Sequence, residues 1–405
     1  MTDNMPSPAV RRLSQPEFTA MLAMLFATIA FSIDAMLPAF PAIAAELTPD
    51  APNRAQLILS AFVMGMGVGT FFVGPLSDAW GRKPVIGGGL GLYIIGALLA
   101  HYAPSLELLL IARAIQGLGA SGPRIAGMAL SRDLYEGREM ARVMSFVMMV
   151  FMIAPAVAPM IGLWIISFAG WRGTFLAFIL FGLLAFAWVS LRQDETLAPA
   201  ARRPLSGALL LSGLREVLGN PEVRLYSIVM TLGFGQMMGL LSSIQQVFDV
   251  TYHKAAQFPY WFALIAAFSA TASFANGRLV MRVGMRKLAL TAYLVQALFS
   301  ALTFTAFLLN IFSGSMAFAA FFIWATSVFF IAGFTFGNLN ALAMRKMGHI
   351  AGMATSVITA LSTVFAVMIA GPVGLAFAGT PRATMLAAVI CSVLAWMLML
   401  RSERV

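Results

Sequence analysis

Twelve runs of about twenty apolar residues, separated by short polar turns, limit what this chain can become more than any other feature. Wound as a helix, a run of that length spans the roughly 30 Å hydrocarbon core of a bilayer. Backbone in lipid must satisfy its own hydrogen bonds, so such runs become helices. The runs lie at 18–41, 55–76, 85–102, 106–130, 143–168, 172–191, 225–249, 257–281, 288–309, 315–343, 352–378 and 382–400. Hydrophobic residues make up 60% of the 405 and charged residues 10%, against about 45–50% and 25% in soluble domains. The chain is therefore expected to be an all-α membrane protein.

The formal charge of +10 would suit a nucleic-acid partner, but its distribution argues for a membrane instead. Of 26 lysines and arginines, 20 fall in turns on the side of the N-terminus. Four lie on the other side (Arg54, Arg172, Lys254 and Arg382), and Arg113 and Arg124 fall within the fourth run. That is the positive-inside bias, which predicts both termini in the cytoplasm. Residues 1–17, with Pro6, Pro8 and Pro16, read as a cytoplasmic tail. Asp34, Pro38, Pro41 and the length of the first run argue against a cleaved signal peptide. Cys391 is the sole cysteine, so no disulfide framework is expected. Neither P-loop, HExxH, GxSxG nor Cys/His metal spacing occurs, which disfavours a membrane enzyme or receptor and predicts no metal and no cofactor.

The turn Gly74–Pro84, GPLSDAWGRKP, has an echo at Gly277–Lys287, GRLVMRVGMRK. Gly74 corresponds to Gly277, Gly81 to Gly284 and Lys83 to Arg286, an offset of 277 − 74 = 203 residues, about half the chain. A parallel repeat of this kind is one plan of secondary transporters. The expected division is 1–191, a linker at 192–224 with an interfacial helix, and 225–405.

GPLSDAWGRK resembles the loop between helices 2 and 3 of the major facilitator superfamily. That implies two pseudo-symmetric six-helix bundles, and a cytoplasmic gate made by Gly74, Asp78, Gly81, Arg82 and Lys83. A plainer reading makes these only topology charges, which suits Lys83 better than Asp78. RAIQGLGAS resembles the RxxQGxGAA stretch of proton-coupled facilitators, with Arg113, Gln116, Gly117 and Gly119 in the matching places and Ser121 in place of an alanine. The resemblance implies that Arg113 takes part in proton coupling. LPAFPAI and SSIQQVF look like segments of the bicyclomycin and chloramphenicol resistance group. In the fifth run Ala154, Ala158, Pro159, Gly162 and Leu163 stand where the antiporter branch has G-x-x-x-G-P-x-x-G-G.

Asp34 is the one acid deep in a run. An ionised carboxylate at a helix centre costs about 2.5–3.5 kcal/mol on insertion scales, so it must face the bundle interior. The other reading is a carboxylate bonded to backbone at the Pro38 break. Asp34 lies 16 residues past Phe18 and Arg113 seven past Leu106, so both are expected in the outer half at similar depth, facing each other. Arg124 follows Arg113 by 11 residues, about three turns, on the same side. It either contacts substrate or snorkels to the inner surface. Gln236, Gln245 and Asn338 complete the expected cavity, and the second half has no deep acid. Gly235/Gly239 and Gly333/Gly337 are expected to pack helices.

The resulting expectation is a proton-coupled multidrug antiporter, monomeric, in a bacterial inner membrane, acting on small amphipathic compounds and protons. The alternative is a proton-coupled exporter or symporter of a small natural metabolite.

Overall fold

The structure, a computed structural model, describes residues 13–402, apart from the side chains of 208–210. Arg11, Arg12 and Arg404, counted above in the charge bias, lie outside these residues. Among the described residues the helices are α1 Gln15–Asp34, α2 Phe40–Leu47, α3 Leu57–Trp80, α4 Arg82–His101, α5 Leu106–Leu134, α6 Gly137–Arg192, α7 Gly207–Gly219, α8 Pro221–Gln246, α9 Phe258–Val283, α10 Met285–Leu308, α11 Gly314–Met344, α12 Ala351–Leu375 and α13 Arg382–Arg401.

Among the described residues, ten helical stretches are long and apolar enough to cross a membrane. One of them is α6, whose 56 residues are bent at Gly170, with φ 65°, so it supplies two crossings. Leu106–Leu134, 29 residues long and carrying Arg113, Gln116 and Arg124, completes the twelve. The first crossing is broken: α1 stops at Asp34, a 3₁₀ turn covers Leu37–Ala39, and α2 resumes at Phe40. Pro38 and Pro41 cause the break by removing amide donors.

Local chemistry sets the helix ends. Ser14 caps α1 by accepting from the Glu17 amide at 3.4 Å, and Asn220 caps α8 by accepting from Glu222 at 2.9 Å. Gly81, at φ 108°, lets the chain turn from α3 into α4, and Gly284, at φ 86°, does the same between α9 and α10. Each donates its amide to the residue four before it, Ser77 and Val280 respectively. Thus the repeated turn has the same backbone path 203 residues later, a conformation that favours glycine.

Helix α5 is wedged between α3 and α4 at backbone distance. A Cβ on Gly117 would lie 1.9 Å from the Phe62 carbonyl oxygen of α3, and one on Gly119 would lie 2.3 Å from the Tyr93 amide of α4. The glycines of RAIQGLGAS are contact points that fix α5, and Arg113 with it. Gly235 and Gly239 pack on Ile369 and Val373 of α12, and Gly333 packs on α9, as expected. Gly337 does not: nothing lies within 4 Å of its Cβ position.

Candidate functional site

The chain ends define two faces, one rich in lysine and arginine and one poor. Asp34 sits toward the poor face, at the C-terminus of α1, and is 5% exposed. Its carboxylate makes no hydrogen bond or ion pair with any described residue, neither with Arg113 nor with backbone at the Pro38 break.

Arg113 is 1% exposed and differently engaged. It donates to the Ser32 carbonyl oxygen at 3.0 Å and to Gln116 Oε1 at 2.7 Å, and its guanidinium stacks over Phe62 at 4.4 Å. Ser32 Oγ and Tyr93 Oη share a hydrogen bond of 2.6 Å beside it. The expected Asp34–Arg113 pair is therefore corrected. The two residues lie at neighbouring levels, but Ser32 and Asp34 are two positions apart on one helix and point to nearly opposite sides. Arg113 grips the carbonyl of Ser32 and leaves the Asp34 side chain free. Gln116 is fully buried with its Nε2 unpartnered, and Arg113 Nε is unpartnered too, so this buried cluster holds donors without acceptors.

Arg124 is half-buried and makes no hydrogen bond or ion pair with a described residue. On α5 it shares the buried side with Arg113, Gly117, Ala120 and Gly127, while Leu108, Ile111 and Leu118 form the exposed side. Its partial exposure therefore opens within the bundle. Gln236 accepts from Ser392 of α13 at 2.9 Å, and Asn338 donates to Asn276 of α9 at 2.8 Å, so both tie helices together. Gln245 is 3% exposed with its Oε1 unpartnered.

Gln245 also lines a pocket of about 230 Å³ at the arginine-poor face, with Phe40, Pro41, Ala55, Gln56 and Asp249 among its walls. A polar clasp closes the halves around it. Ser243 donates to Gln56 at 3.0 Å, Gln56 bonds Gln246, and Gln246 donates to Asn53 at 2.7 Å. Asn53 in turn donates to the carbonyl oxygens of Leu375 at 3.1 Å and Phe377 at 2.7 Å. Just beyond it, the Tyr252 hydroxyl donates to the Ala317 carbonyl oxygen at 3.2 Å, and burial pushes its phenol above the ordinary value, keeping it a neutral donor.

At the arginine-rich face the expected gate residues bond within the first half and the linker. Arg82 donates to Asp78 at 2.5 Å and to Asp133 at 3.0 Å. Glu195 of the linker accepts from the Arg82 and Lys83 amides at 3.0 Å each, capping α4 beside Gly81. Lys83 Nζ donates to the Ser190 carbonyl oxygen at 2.9 Å, near the C-terminus of α6, where a cation suits the helix dipole. Gly74 approaches the second half, with Ser356 Oγ 3.1 Å from its Cβ position.

A family profile described as Major Facilitator Superfamily matches residues 20–372. The chain belongs to the Major Facilitator Superfamily. It is 32% identical over 345 residues to a bicyclomycin resistance protein homolog of Haemophilus influenzae, covering 84% of each chain. It is 26% identical over 268 residues to multidrug resistance protein D of Escherichia coli, covering 63% of this chain and 67% of that one. Its fold is similar to that of the E. coli xylose transporter XylE in a partially occluded inward-open conformation, with TM-score 0.70, 12% identity, and 97% and 99% of the two chains covered. This facilitator is thus a multi-span membrane protein of transporter fold.

Several residues of the facilitator's site were not found from sequence. Ser32, Tyr93 and Phe62 surround Arg113, and Asn53 and Gln56 supply half of the clasp. Asn53 and Gln56 sit in a short polar turn where single-chain patterning gives no hint of a distant partner. Ser243 and Gln246 carried the better signal, as polar residues within an apolar run.

Proposed function

We propose that this facilitator exports small amphipathic antimicrobial compounds in exchange for protons, with Asp34 as the coupling carboxylate. The observation that carries the reading is Asp34 itself: buried at the break in the first crossing, without a described partner, two residues from the Ser32 carbonyl that Arg113 grips. Intramembrane ionisable residues are rare, and by default functional. The names of the relatives, a bicyclomycin resistance homolog and a multidrug resistance protein, supply the cargo class.

The arginine-rich face is taken as cytoplasmic, with both termini there, in a bacterial inner membrane. The working unit is the monomer, with bundles at 1–191 and 225–405 joined by a linker at 192–224. The clasp then seals the outside while the Asp78–Arg82–Asp133 cluster stays within one half. In this cycle a proton reaches Asp34 from outside, the loaded protein turns inward, and cargo binding favours release of the proton. Reopening of the clasp delivers cargo outward. A potential of 100 mV contributes about 2.3 kcal/mol per charge moved.

The test is a growth screen in a pump-deficient bacterium with a panel of antimicrobials, alongside uptake of a natural-metabolite panel into vesicles. Resistance that depends on Asp34 supports the reading. Proton-linked metabolite flux without any resistance overturns it.

A further inference from the structure

Arg124 is the cation in the bundle that the proposed cycle leaves unused. An unpaired guanidinium inside a membrane protein needs an anion, hydrogen-bond acceptors or water, because charge is costly to bury alone. No described side chain or backbone oxygen bonds it. Asp34 does not serve, since it lies toward the opposite face, and the second half has no deep acid.

Snorkelling does not account for it. Asp133, bonded to Arg82, marks the arginine-rich surface on the same helix, and Glu107, bonded to Arg54, marks the other. Arg124 is nine residues from the first and 17 from the second, so about 14 Å and 26 Å along the helix. Its Cα–Cβ bond tilts toward the helix N-terminus, which is the arginine-poor end, away from the nearer surface. It also lies on the inward side of α5, opposite Leu108, Ile111 and Leu118. Pro123 precedes it within the helix, removing a backbone donor at the same level. A guanidinium there is placed to receive a carboxylate through its planar fork.

We propose that Arg124 is the receptor for an acidic group on the cargo, so this exporter prefers amphiphiles bearing a carboxylate to their esterified analogues. The inference rests on the export reading above. With Arg113 held by Ser32 and Gln116, the interior among the described residues offers one free cation, Arg124, and one free titratable acid, Asp34. Cargo carrying an acidic group at one end and a basic group at the other satisfies both. The acidic group meets Arg124, and the basic group competes with the proton at Asp34.

The test uses the purified full chain with two fluorescent probes, rhodamine 110, which bears a free carboxylate, and rhodamine 123, its methyl ester. Binding is read by fluorescence anisotropy. The expected result is an affinity for the acid at least about tenfold higher than for the ester, the factor of one charge-assisted hydrogen bond. Arg124→Gln brings the two affinities within about twofold of each other, by weakening the acid alone, and Arg124→Lys, which keeps the charge but not the planar fork, keeps part of the preference. Both variants are first checked for a monodisperse, wild-type-like elution profile. A wild type that prefers the ester, shows no preference or binds neither dye overturns the proposal, as does an Arg124→Gln variant that keeps the tenfold difference. Proton release through Asp34 is measured separately. Its absence, with the dye preference intact, counts against the export reading alone.

Discussion

Gln246→Ala loosens the clasp by an amount that the structure allows to be worked out. The substitution removes the hydrogen bond between Gln246 and Gln56, and the 2.7 Å bond from Gln246 to Asn53. A neutral hydrogen bond contributes about 0.5–1.5 kcal/mol net, so two contribute roughly 1–3 kcal/mol. If these bonds exist only while the arginine-poor face is closed, their loss shifts the closed-to-open ratio by about 5- to 150-fold. Ala55 reports on that ratio, because it is 2% exposed and lines the pocket beside the clasp. Replacing Cys391 by Ser and Ala55 by Cys leaves a single thiol at the closure. Its rate of labelling by a membrane-impermeant maleimide, added from outside whole cells, is proportional to the open fraction while that fraction is small. The rate is expected to rise at least about fivefold in Gln246→Ala. Asn53→Ala, which removes three bonds, should give at least as large a rise, and the double variant less than the product of the two, since they share a bond. Labelling unchanged within twofold in both single variants would refute the clasp as a conformational lock.

Three further outcomes are expected. Gly117→Ala places a methyl group 1.9 Å from the Phe62 carbonyl oxygen, so α3 and α5 must separate. Overpacking of this kind costs about 1–3 kcal/mol, and a lowered thermal midpoint in detergent checks it, with Gly88→Ala, whose Cβ meets nothing within 4 Å, as the neutral comparison. Arg82→Gln severs the ties to Asp78 and Asp133 while leaving the interior intact. It should slow transport severalfold with ligand affinity unchanged, and a large loss of affinity with normal transport kinetics would count against a gating role. Ser32→Ala removes the bonds to Tyr93 and to the Thr28 carbonyl oxygen but keeps the carbonyl that Arg113 grips, so it should leave proton-coupled transport within about twofold, at the cost of two hydrogen bonds in stability.

Much of the architecture was legible because the bilayer simplifies the reading. Apolar length alone placed the crossings, and the break at Leu37–Ala39 was signalled by Pro38 and Pro41. The paired turns at Gly81 and Gly284 could be read because both demand the same positive φ. Less of the site could be seen. Counting residues along an axis gives depth but not azimuth with respect to a neighbouring helix, which is why Asp34 and Arg113 were expected to pair and do not. How α5 is set between α3 and α4, and with it where Arg113 points, is decided by the close approaches at Gly117 and Gly119, which no periodicity reveals. Gln236 and Asn338 were expected to line the cavity because polar residues in an apolar run suggest one. Each also ties helices together: Gln236 Oε1 accepts from Ser392 while its Nε2 stays unpartnered, and Asn338 donates to Asn276. The clasp joins Asn53 and Gln56 of a short turn to residues of α8 some 190 positions away, and a lone sequence carries no pairing signal over that distance.

The claim on which the account turns is that the Asp34 carboxyl carries the proton exchanged for cargo. Purified protein in weakly buffered detergent, with a pH-sensitive dye, tests it most directly on addition of a compound to which the protein confers resistance. The account predicts that wild type releases protons on binding and that Asp34→Asn binds the same compound without releasing any. Proton release of wild-type size from Asp34→Asn would contradict it.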